Sequence, residues 1–396
     1  MKNNLEIKNR FFLSDKSKNV KKINFVLDNI KKNLDNKSTF QFLSKKFKFN
    51  FKVSNLKKFK KYNTIVVLGI GGSILGAKAI YSFLKDKIKK DFIFVDDLDE
   101  TLFKDLYKKK KKDLLFIIIS KSGNTLETLV NINLLSSFNL NKTNTIIITE
   151  KKKNILNKFA NTKNILCIEH KNFIGGRYSV LSEVGMIPAY FMGLNIKRFR
   201  KNVLKYFTKN NRKILLESTN QLSKYFLSKN ISSIIFFNYS SKLNDLALWC
   251  QQLIAESLGK KNKGILPILS KAPKDHHSLL QLYLDGPKDK IFYVLSEKVK
   301  QKKNIKNKFN NSLSYLSNKN LNQIIESQRN AFSKALRRKK IPYKEILVNK
   351  CNEETIGEFF SYFILETAII GKLIYVNPFN QPAVEEVKKL TKKNLS

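Results

Sequence analysis

The sequence predicts an α/β protein in which helices flank mainly parallel sheets. From Thr64 onward, short apolar runs rich in β-branched residues alternate with segments of helical periodicity. Some runs, such as residues 114–119, are apolar at every position, which is typical of strands buried on both faces of a parallel sheet. The chain has 396 residues, enough for more than one hydrophobic core, so we expect two α/β lobes.

The elements are expected in the following order. Residues 1–60 are rich in Lys, with apolar residues such as Leu27 and Ile30 at helical spacing, and we expect a helical segment that covers a sheet. The first lobe spans residues 61–195, with strands at 64–68, 91–95, 114–119, 144–149 and 164–167. The second lobe spans residues 196–376, with a strand at 232–237 and helices at 243–258 and 354–371. Residues 377–396 form a C-terminal helix.

The charge balance is strongly basic, with 76 Lys and Arg against 31 Asp and Glu and a net charge of +45. Such a balance would usually suggest a nucleic-acid partner. Here the excess is nearly all Lys, is spread over the whole chain and accompanies many Asn, Ile and Phe, so it indicates compositional drift of the surface. We expect no specific nucleic-acid partner, although a positive field can speed the approach of anionic substrates.

The sequence gives no sign of export or of membrane insertion. No apolar run approaches the ~18 residues of a membrane span, and the N-terminus has charges where a signal peptide would have an apolar core. The three cysteines, Cys167, Cys250 and Cys351, lack the spacing of metal ligands. We therefore expect a soluble cytoplasmic protein with reduced thiols.

A glycine-rich junction at residues 65–77 reads Ile-Val-Val-Leu-Gly-Ile-Gly-Gly-Ser-Ile-Leu-Gly-Ala. The pattern predicts a strand, a tight loop and a helix start. Glycines such as Gly72 let the backbone approach a ligand, the helix N-terminus favours an anion, and Ser73 adds a hydroxyl. An ordinary strand-to-helix turn is the alternative. The motif matches neither the dinucleotide fingerprint nor a Walker loop.

A second strand end carries a similar loop. Residues 114–119 run into Ser-Lys-Ser-Gly-Asn-Thr-Leu-Glu-Thr, which places the hydroxyls of Ser120, Ser122 and Thr125 within six residues. Together with Ser73 they could satisfy three phosphate oxygens beside a helix N-terminus. Helix capping is the alternative, but it accounts for only one or two of these hydroxyls.

These two loops resemble the phosphosugar-binding loops of the sugar isomerase (SIS) domain, and the motifs that follow are similar, in order, to those of the glucose-6-phosphate isomerase family. The resemblance extends from about residue 64 to the C-terminus. It implies two SIS-type lobes and interconversion of glucose 6-phosphate and fructose 6-phosphate through ring opening and a cis-enediol, without a metal or an organic cofactor. It also implies backbone contacts to the phosphate from Gly72 and Lys121.

The motif Ile-Gly-Gly-Arg-Tyr-Ser begins at Ile174. Its glycines, including Gly176, allow close backbone approach, and Arg177 brings a permanent positive charge suited to a developing oxyanion. An Arg paired with a nearby carboxylate is the alternative. The resemblance implies that Arg177 stabilises the enediolate.

The predicted helix 243–258 places Gln252 and Glu256 four residues apart on one face. The resemblance implies that Glu256 is the base that moves a proton between C1 and C2, with Gln252 beside the substrate. The alternative is a surface ion pair between Glu256 and Lys260.

Three further residues are assigned by the resemblance. His277, rather than His276, has the motif's spacing to Gln281, although Asp-His-His departs from the commoner Gly-Gln-His form. The family pattern implies that His277 is supplied across the interface of a homodimer and opens the sugar ring with Lys388, while Gln381 contacts substrate. Two alternatives are a metal site at the histidine pair, which lacks a third ligand, and a solvated Lys388.

Other functions stay open at this point. An SIS-type module could sense a phosphosugar without turnover, and it would need neither Arg177 nor Glu256. Within the isomerase class, mannose 6-phosphate is a possible second substrate.

Overall fold

The computed structural model describes residues 3–13, 19–299, 303–306 and 310–396. It contains two five-stranded sheets flanked by helices, as the sequence predicts. No helix in the described part of the chain is long and apolar enough to span a membrane.

The first sheet is entirely parallel, with strand order β3-β2-β4-β5-β6. Its strands are β2 (Thr64–Leu68), β3 (Asp91–Val95), β4 (Leu114–Ile119), β5 (Thr145–Thr149) and β6 (Leu166–Glu169). The helices around it are α3 (Leu75–Leu84), α4 (Glu100–Tyr107), α5 (Leu126–Leu134), α6 (Ile155–Thr162) and α7 (Glu183–Phe191). All residues of β2, β4 and β5 are buried, because helices cover both faces of the sheet.

The second sheet has the order β1-β10-β9-β7-β8 and one antiparallel edge strand. Its strands are β1 (Leu5–Arg10), β7 (Ser233–Asn238), β8 (Leu266–Lys271), β9 (Lys290–Glu297) and β10 (Tyr343–Val348). Its helices are α8 (Lys209–Ser228), α9 (Asn244–Leu258), α10 (Asp275–Ser278), α11 (Leu280–Asp285), α12 (Leu321–Arg338) and α13 (Glu353–Leu373), followed by the C-terminal α14 (Pro382–Leu395).

The helical prediction for residues 1–60 is only partly confirmed. Helices α1 (Val20–Lys32) and α2 (Val53–Lys57) are present, and Leu27 of α1 is buried. Residues 5–10, however, form strand β1, which pairs antiparallel with β10. The helical expectation is wrong there because six residues of alternating burial become a strand only beside a partner far along the chain.

The two sheets are connected through packed helices. Helix α3, which leaves the glycine-rich loop, packs against α9 of the second lobe, and both contribute to one continuous hydrophobic core. Helix α13 is buried along nearly its whole length and contacts α9 as well. This packing brings the end of β2 close to α9.

Candidate active site

The glycine-rich loop forms a tight turn after β2. Residues Gly71–Ser73 make one 3-10 turn, and Gly71 has a φ of +56°, a left-handed conformation that favours glycine. A Cβ on Gly72 would lie 2.3 Å from the carbonyl carbon of Gly176 and 2.5 Å from the amide nitrogen of Arg177. Gly72 therefore allows close contact with the loop that carries Arg177.

The hydroxyl-rich loop follows β4, which pairs directly with β2. The Oγ1 atom of Thr125 lies 2.8 Å from Oγ of Ser120 and 3.3 Å from Oγ of Ser122. Thr125 is the N-cap residue of α5 but makes no side-chain capping hydrogen bond. The capping alternative is therefore not supported for Thr125, and the three hydroxyls are grouped beside a helix N-terminus. On the neighbouring loop, Ser73 Oγ makes no hydrogen bond to another described residue.

A partly buried ion pair joins the two lobes. The guanidinium of Arg177, whose side chain is 3% exposed, places Nη1 2.7 Å from Oε1 of Glu256. The other carboxylate oxygen of Glu256 accepts a hydrogen bond from Nε2 of Gln252 at 3.0 Å. The Glu256 side chain is still 24% exposed. The carboxylate is thus held at both oxygens and remains accessible to a small molecule.

Arg177 uses its remaining donors within the protein. Its Nε donates to Ser257 Oγ at 2.8 Å, and Nη2 donates to the carbonyls of Pro378 and Asn380 at 2.7 and 3.1 Å. Nη1 also donates to Oε1 of Gln381 at 3.0 Å. These contacts fix the guanidinium plane, as expected for a preorganised positive charge.

The glycine-rich loop and the hydroxyl-rich loop, together called the phosphate-type loops, surround the segments that carry this ion pair, and the glycine-rich loop adjoins it. A Cβ on Gly71 would lie 2.7 Å from Nε2 of Gln252, so the glycine-rich loop touches the helix face that carries Glu256. On the hydroxyl-rich loop, burial and the positive charge of Arg177 both lower the pKa of Lys121. Lys121 Nζ donates to the carbonyl of Asn172 at 2.8 Å and lies 3.6 Å from Glu150. The glycine-rich loop therefore lies close to the Arg177–Glu256 pair, and Lys121 of the hydroxyl-rich loop contacts the segment that precedes the Arg177 motif.

Comparison with known proteins identifies the family. The model of the family described as phosphoglucose isomerase matches residues 8–396. The chain belongs to the phosphoglucose isomerase family. It is 35% identical over 351 residues to a glucose-6-phosphate isomerase of Methanocaldococcus jannaschii, covering 85% of this chain and 86% of the relative. It is 34% identical over 358 residues to a glucose-6-phosphate isomerase of Campylobacter jejuni, covering 85% of this chain and 86% of that relative.

Solved structures share the fold. A glucose-6-phosphate isomerase from Chlamydia trachomatis superposes with a TM-score of 0.72 at 17% identity, covering 98% of this chain and 76% of that chain. A hypothetical protein from Thermus thermophilus gives a TM-score of 0.82 at 23% identity, covering 95% and 94%. The predicted α/β fold with two mainly parallel sheets of SIS type is thereby confirmed.

The two adjacent histidines differ in their surroundings. His276 is tied into the protein: Nε2 lies 2.7 Å from the hydroxyl of Tyr239, the ring stacks on Phe237 at 5.5 Å, and burial lowers its pKa. His277 is exposed, and its imidazole makes no hydrogen bond to another residue in the described ranges; only its backbone N–H does, donating to the carbonyl of Lys274 at 3.1 Å. Within this single chain, His277 is therefore not brought to Glu256 by any contact among the described residues.

The C-terminal motif is only partly joined to the site. Gln381 contacts Arg177, but Lys388 is 61% exposed and its Nζ lies 2.8 Å from Glu385. Along α14 the apolar residues Val384 and Val387 are also exposed. Arg177 and the residues joined to it, Glu256, Gln252 and Ser257, are called the Arg177 cluster. The structure brings Gln381 to this cluster and, among the described residues, shows no contact of Lys388 with it.

Three residues near Glu256 make contacts that the sequence analysis did not predict: Tyr178, Ser257 and Lys260. The hydroxyls of Ser257 and Tyr178 lie 2.9 Å apart, and Tyr178 also donates to the carbonyl of Pro378 at 2.9 Å. Lys260 Nζ donates to the carbonyls of Ser257 and Asn377 at 3.0 and 2.5 Å, and burial and the charge of Arg177 lower its pKa to about 8.

The alternative of a surface pair between Glu256 and Lys260 is therefore wrong. The ammonium of Lys260 is used to hold the loop that begins at Asn377, and the carboxylate of Glu256 is paired with Arg177. The sequence signal for Ser257 was its position directly after Glu256. The roles of Tyr178 and Lys260 had no signal beyond proximity to the motifs.

Proposed function

We propose that this protein is an isomerase that interconverts D-glucose 6-phosphate and D-fructose 6-phosphate. The observation that carries the proposal is the convergence of Arg177, Glu256 and Gln252 beside the glycine-rich loop. A module that only senses a phosphosugar has no use for a preorganised carboxylate–guanidinium pair, so this convergence disfavours it. Membership of the phosphoglucose isomerase family supports the same activity.

In this proposal the phosphate is bound at the two strand ends. The hydroxyls of Ser73, Ser120, Ser122 and Thr125 donate hydrogen bonds to its oxygens. The N-terminus of α5, whose N-cap residue leaves the backbone N–H groups without a side-chain partner, adds donors and a partial positive charge. Backbone groups of Gly72, Lys121 and Gly176 complete the pocket.

The proposed reaction moves one carbon-bound proton between C2 and C1, and it can run in either direction. Glu256 takes the proton from C2 of the open-chain aldose and returns it to C1, since both carbons face the same carboxylate. The hydroxyl proton of O2 passes to O1 at the enediol stage, so the carbonyl group moves from C1 to C2 with no net gain or loss of protons. Arg177 stabilises the negative charge that develops on the enediolate oxygen. Gln252 and Gln381 keep Glu256 and Arg177 oriented. Positioned general-base catalysis of this kind contributes ~10²- to 10⁴-fold.

We further propose that the working form is a homodimer in the cytoplasm. The ring is opened by Lys388 together with His277 of the partner subunit. The exposure of His277 and of the apolar side chains of α14 supports this arrangement, because both would be covered by a second copy. Each proposed step uses side chains of the protein, so the route includes no metal and no organic cofactor.

A coupled assay tests the proposal directly. The purified protein is given fructose 6-phosphate in buffer with a chelator, and glucose 6-phosphate is detected by an added dehydrogenase. We expect steady formation of glucose 6-phosphate. Tight binding of fructose 6-phosphate without turnover would instead favour the sensing module. A parallel assay with mannose 6-phosphate tests the broader substrate range.

A further inference from the structure

A basic cavity lies apart from the residues of the candidate active site. It has a volume of about 410 Å³ and lies between the segment after the short helix Gln41–Leu43 and the 3-10 helix Arg198–Arg200. Its wall carries five basic side chains: Lys45, Lys197, Arg198, Arg200 and Lys201. No acidic residue of the described chain lines it. It shares no residue with the two phosphate-type loops or the Arg177 cluster.

Arg200 is the feature that distinguishes this cavity from an ordinary lysine-rich surface. Its guanidinium is mostly buried, and its two Nη atoms donate to the carbonyls of Phe42 and Ser44. It forms no ion pair with a carboxylate among the described residues. The negative charge of Glu183 acts on Arg200 and partly offsets the lowering of its pKa by burial, but the Glu183 carboxylate itself is paired with Lys171 at 3.1 Å.

Burial of this unpaired charge is unfavourable, and it lowers the pKa of Arg200 to about 10. An anion in the adjacent cavity would offset that cost, because charges interact strongly where water is partly excluded. Arg200 therefore gives the cavity wall a fixed positive charge that has no carboxylate partner within the described part of the protein.

The other cations of the wall are only partly neutralised. Arg198 and Lys201 share one carboxylate, that of Glu354, at 3.3 and 3.2 Å. Lys45 and Lys197 form no ion pair with another residue in the described ranges. Asp35, which accepts a hydrogen bond from Ser44, is paired with Lys46 at 2.9 Å. The wall thus keeps a large excess of positive charge after all described ion pairs are counted.

We propose that this cavity binds a small oligophosphate, a ligand with at least two linked phosphate groups. A single phosphate would leave most of the five cations facing one another, whereas a linear di- or triphosphate spreads several negative charges across the cavity. Guanidinium and ammonium groups are the side chains that phosphates prefer. The basic lining is confined to residues 43–45 and 197–204, and this short extent suits a small molecule better than a continuous nucleic-acid backbone.

Calorimetry with inorganic tripolyphosphate tests the proposal on the full-length protein. Fructose 6-phosphate is kept at saturating concentration so that the candidate active site is occupied. We expect saturable binding that is tighter than that of inorganic phosphate. The double variant Lys45→Ala/Lys197→Ala should weaken it by about tenfold or more, and both residues are exposed and unpaired within the described ranges, so the fold should be kept.

The matched control is Lys109→Ala/Lys110→Ala, which removes the same charge from an exposed lysine run on the first lobe. It should change the affinity less than about twofold. Equal losses in the two double variants would show that only the general positive field attracts the ligand and would overturn the proposal. Displacement of tripolyphosphate by fructose 6-phosphate, or equal affinity for phosphate and tripolyphosphate, would overturn it as well.

Discussion

Nη1 of Arg177 lies 2.7 Å from Oε1 of Glu256, although 79 positions separate the two residues in the sequence. Arg177 belongs to the 3-10 helix Gly176–Leu181, next to the first sheet, and Glu256 belongs to α9 of the second lobe. The proposed base and the proposed oxyanion partner therefore meet only when the two lobes pack together. Catalysis and the packing of α3 against α9 should be coupled.

Arg177→Lys should reduce kcat strongly. A lysine ammonium lacks the planar set of N–H donors with which Arg177 contacts Glu256 and the surrounding acceptors. The positive charge that stabilises the enediolate would therefore no longer be held in place. We expect kcat to fall by roughly 10²- to 10³-fold, measured in the coupled assay. Arg198→Lys, at an exposed arginine, serves as the control and should stay near the wild-type rate. Activity of Arg177→Lys close to that of the control would remove Arg177 from the mechanism.

Removal of a phosphate-loop hydroxyl should act mainly on binding. Ser122→Ala deletes one proposed donor to the phosphate, a group that contacts substrate and transition state alike. A hydrogen bond to a charged group contributes about 1.5 to 3 kcal/mol, so KM should rise by about tenfold or more while kcat changes little. Ser54→Ala, on an exposed helix elsewhere, is the control. A fall in kcat at unchanged KM would argue against a phosphate contact.

Tyr178→Phe tests whether Tyr178 positions Arg177. The ring would stay in place, while the hydroxyl contacts with Ser257 and with the carbonyl of Pro378 would be lost. We expect kcat to fall by about 2- to 10-fold, as the loss of one ordinary hydrogen bond implies, with little change in KM. Phe332→Leu, in the separate aromatic cluster of the second lobe, controls for loss of packing. A variant that melts earlier but keeps its kcat would show a purely structural role.

His170 should make stability depend on pH. Burial and the charge of Lys121 lower its pKa from 6.5 to about 4, so the folded protein keeps it neutral. Between these two values the unfolded chain binds the extra proton, and the free energy of unfolding therefore falls as the pH drops through this window. The contribution amounts to roughly 3 kcal/mol at full extent.

Denaturant unfolding near neutral pH and near pH 4.5 measures this effect. The stability lost on acidification should be smaller in His170→Gln than in the wild type. An unchanged acid sensitivity in His170→Gln would contradict the assignment.

Mixing two inactive variants tests the proposed dimer. One variant carries Glu256→Gln and the other carries His277→Gln. If His277 acts in the partner's site, a dimer with one subunit of each variant has one site with both substitutions and one site with neither. Co-refolding the two variants should then restore about a quarter of the wild-type activity, since half of the dimers are mixed and half of their sites are intact. No recovery in a mixture shown to exchange subunits would place His277 and Glu256 in the same chain's site.

Much of the architecture could be predicted because its signals are local. Strands β2 and β4 of the first sheet contain uninterrupted apolar runs, and the loops at Ser73 and Ser120 follow them directly, so the pairing of β2 with β4 brings these two loops together. Strand β1 could not be predicted in this way. Leu5 and Ile7 alternate with polar residues over too short a span, and the partner strand lies more than 330 residues away.

In the candidate active site, too, contacts between residues close in sequence could be predicted and contacts between distant segments could not. The spacing of Gln252 and Glu256 alone predicted that they share a helix face, and the structure adds the hydrogen bond between them. The partners of Arg177 could not be derived from spacing, because Ser257 and the carbonyls of Pro378 and Asn380 come from two other segments. The assignment of Lys388 and His277 to the site stays a prediction, since neither contacts the Arg177 cluster within the described chain.

The turnover of Glu256→Gln tests the central claim most directly. The amide keeps the size of the side chain and an acceptor for Arg177 but cannot take a proton from carbon. We predict that kcat for fructose 6-phosphate falls by about 10²- to 10⁴-fold, while the dissociation constant of fructose 6-phosphate, measured by calorimetry, changes less than about threefold. Near-normal turnover by this variant would contradict the account.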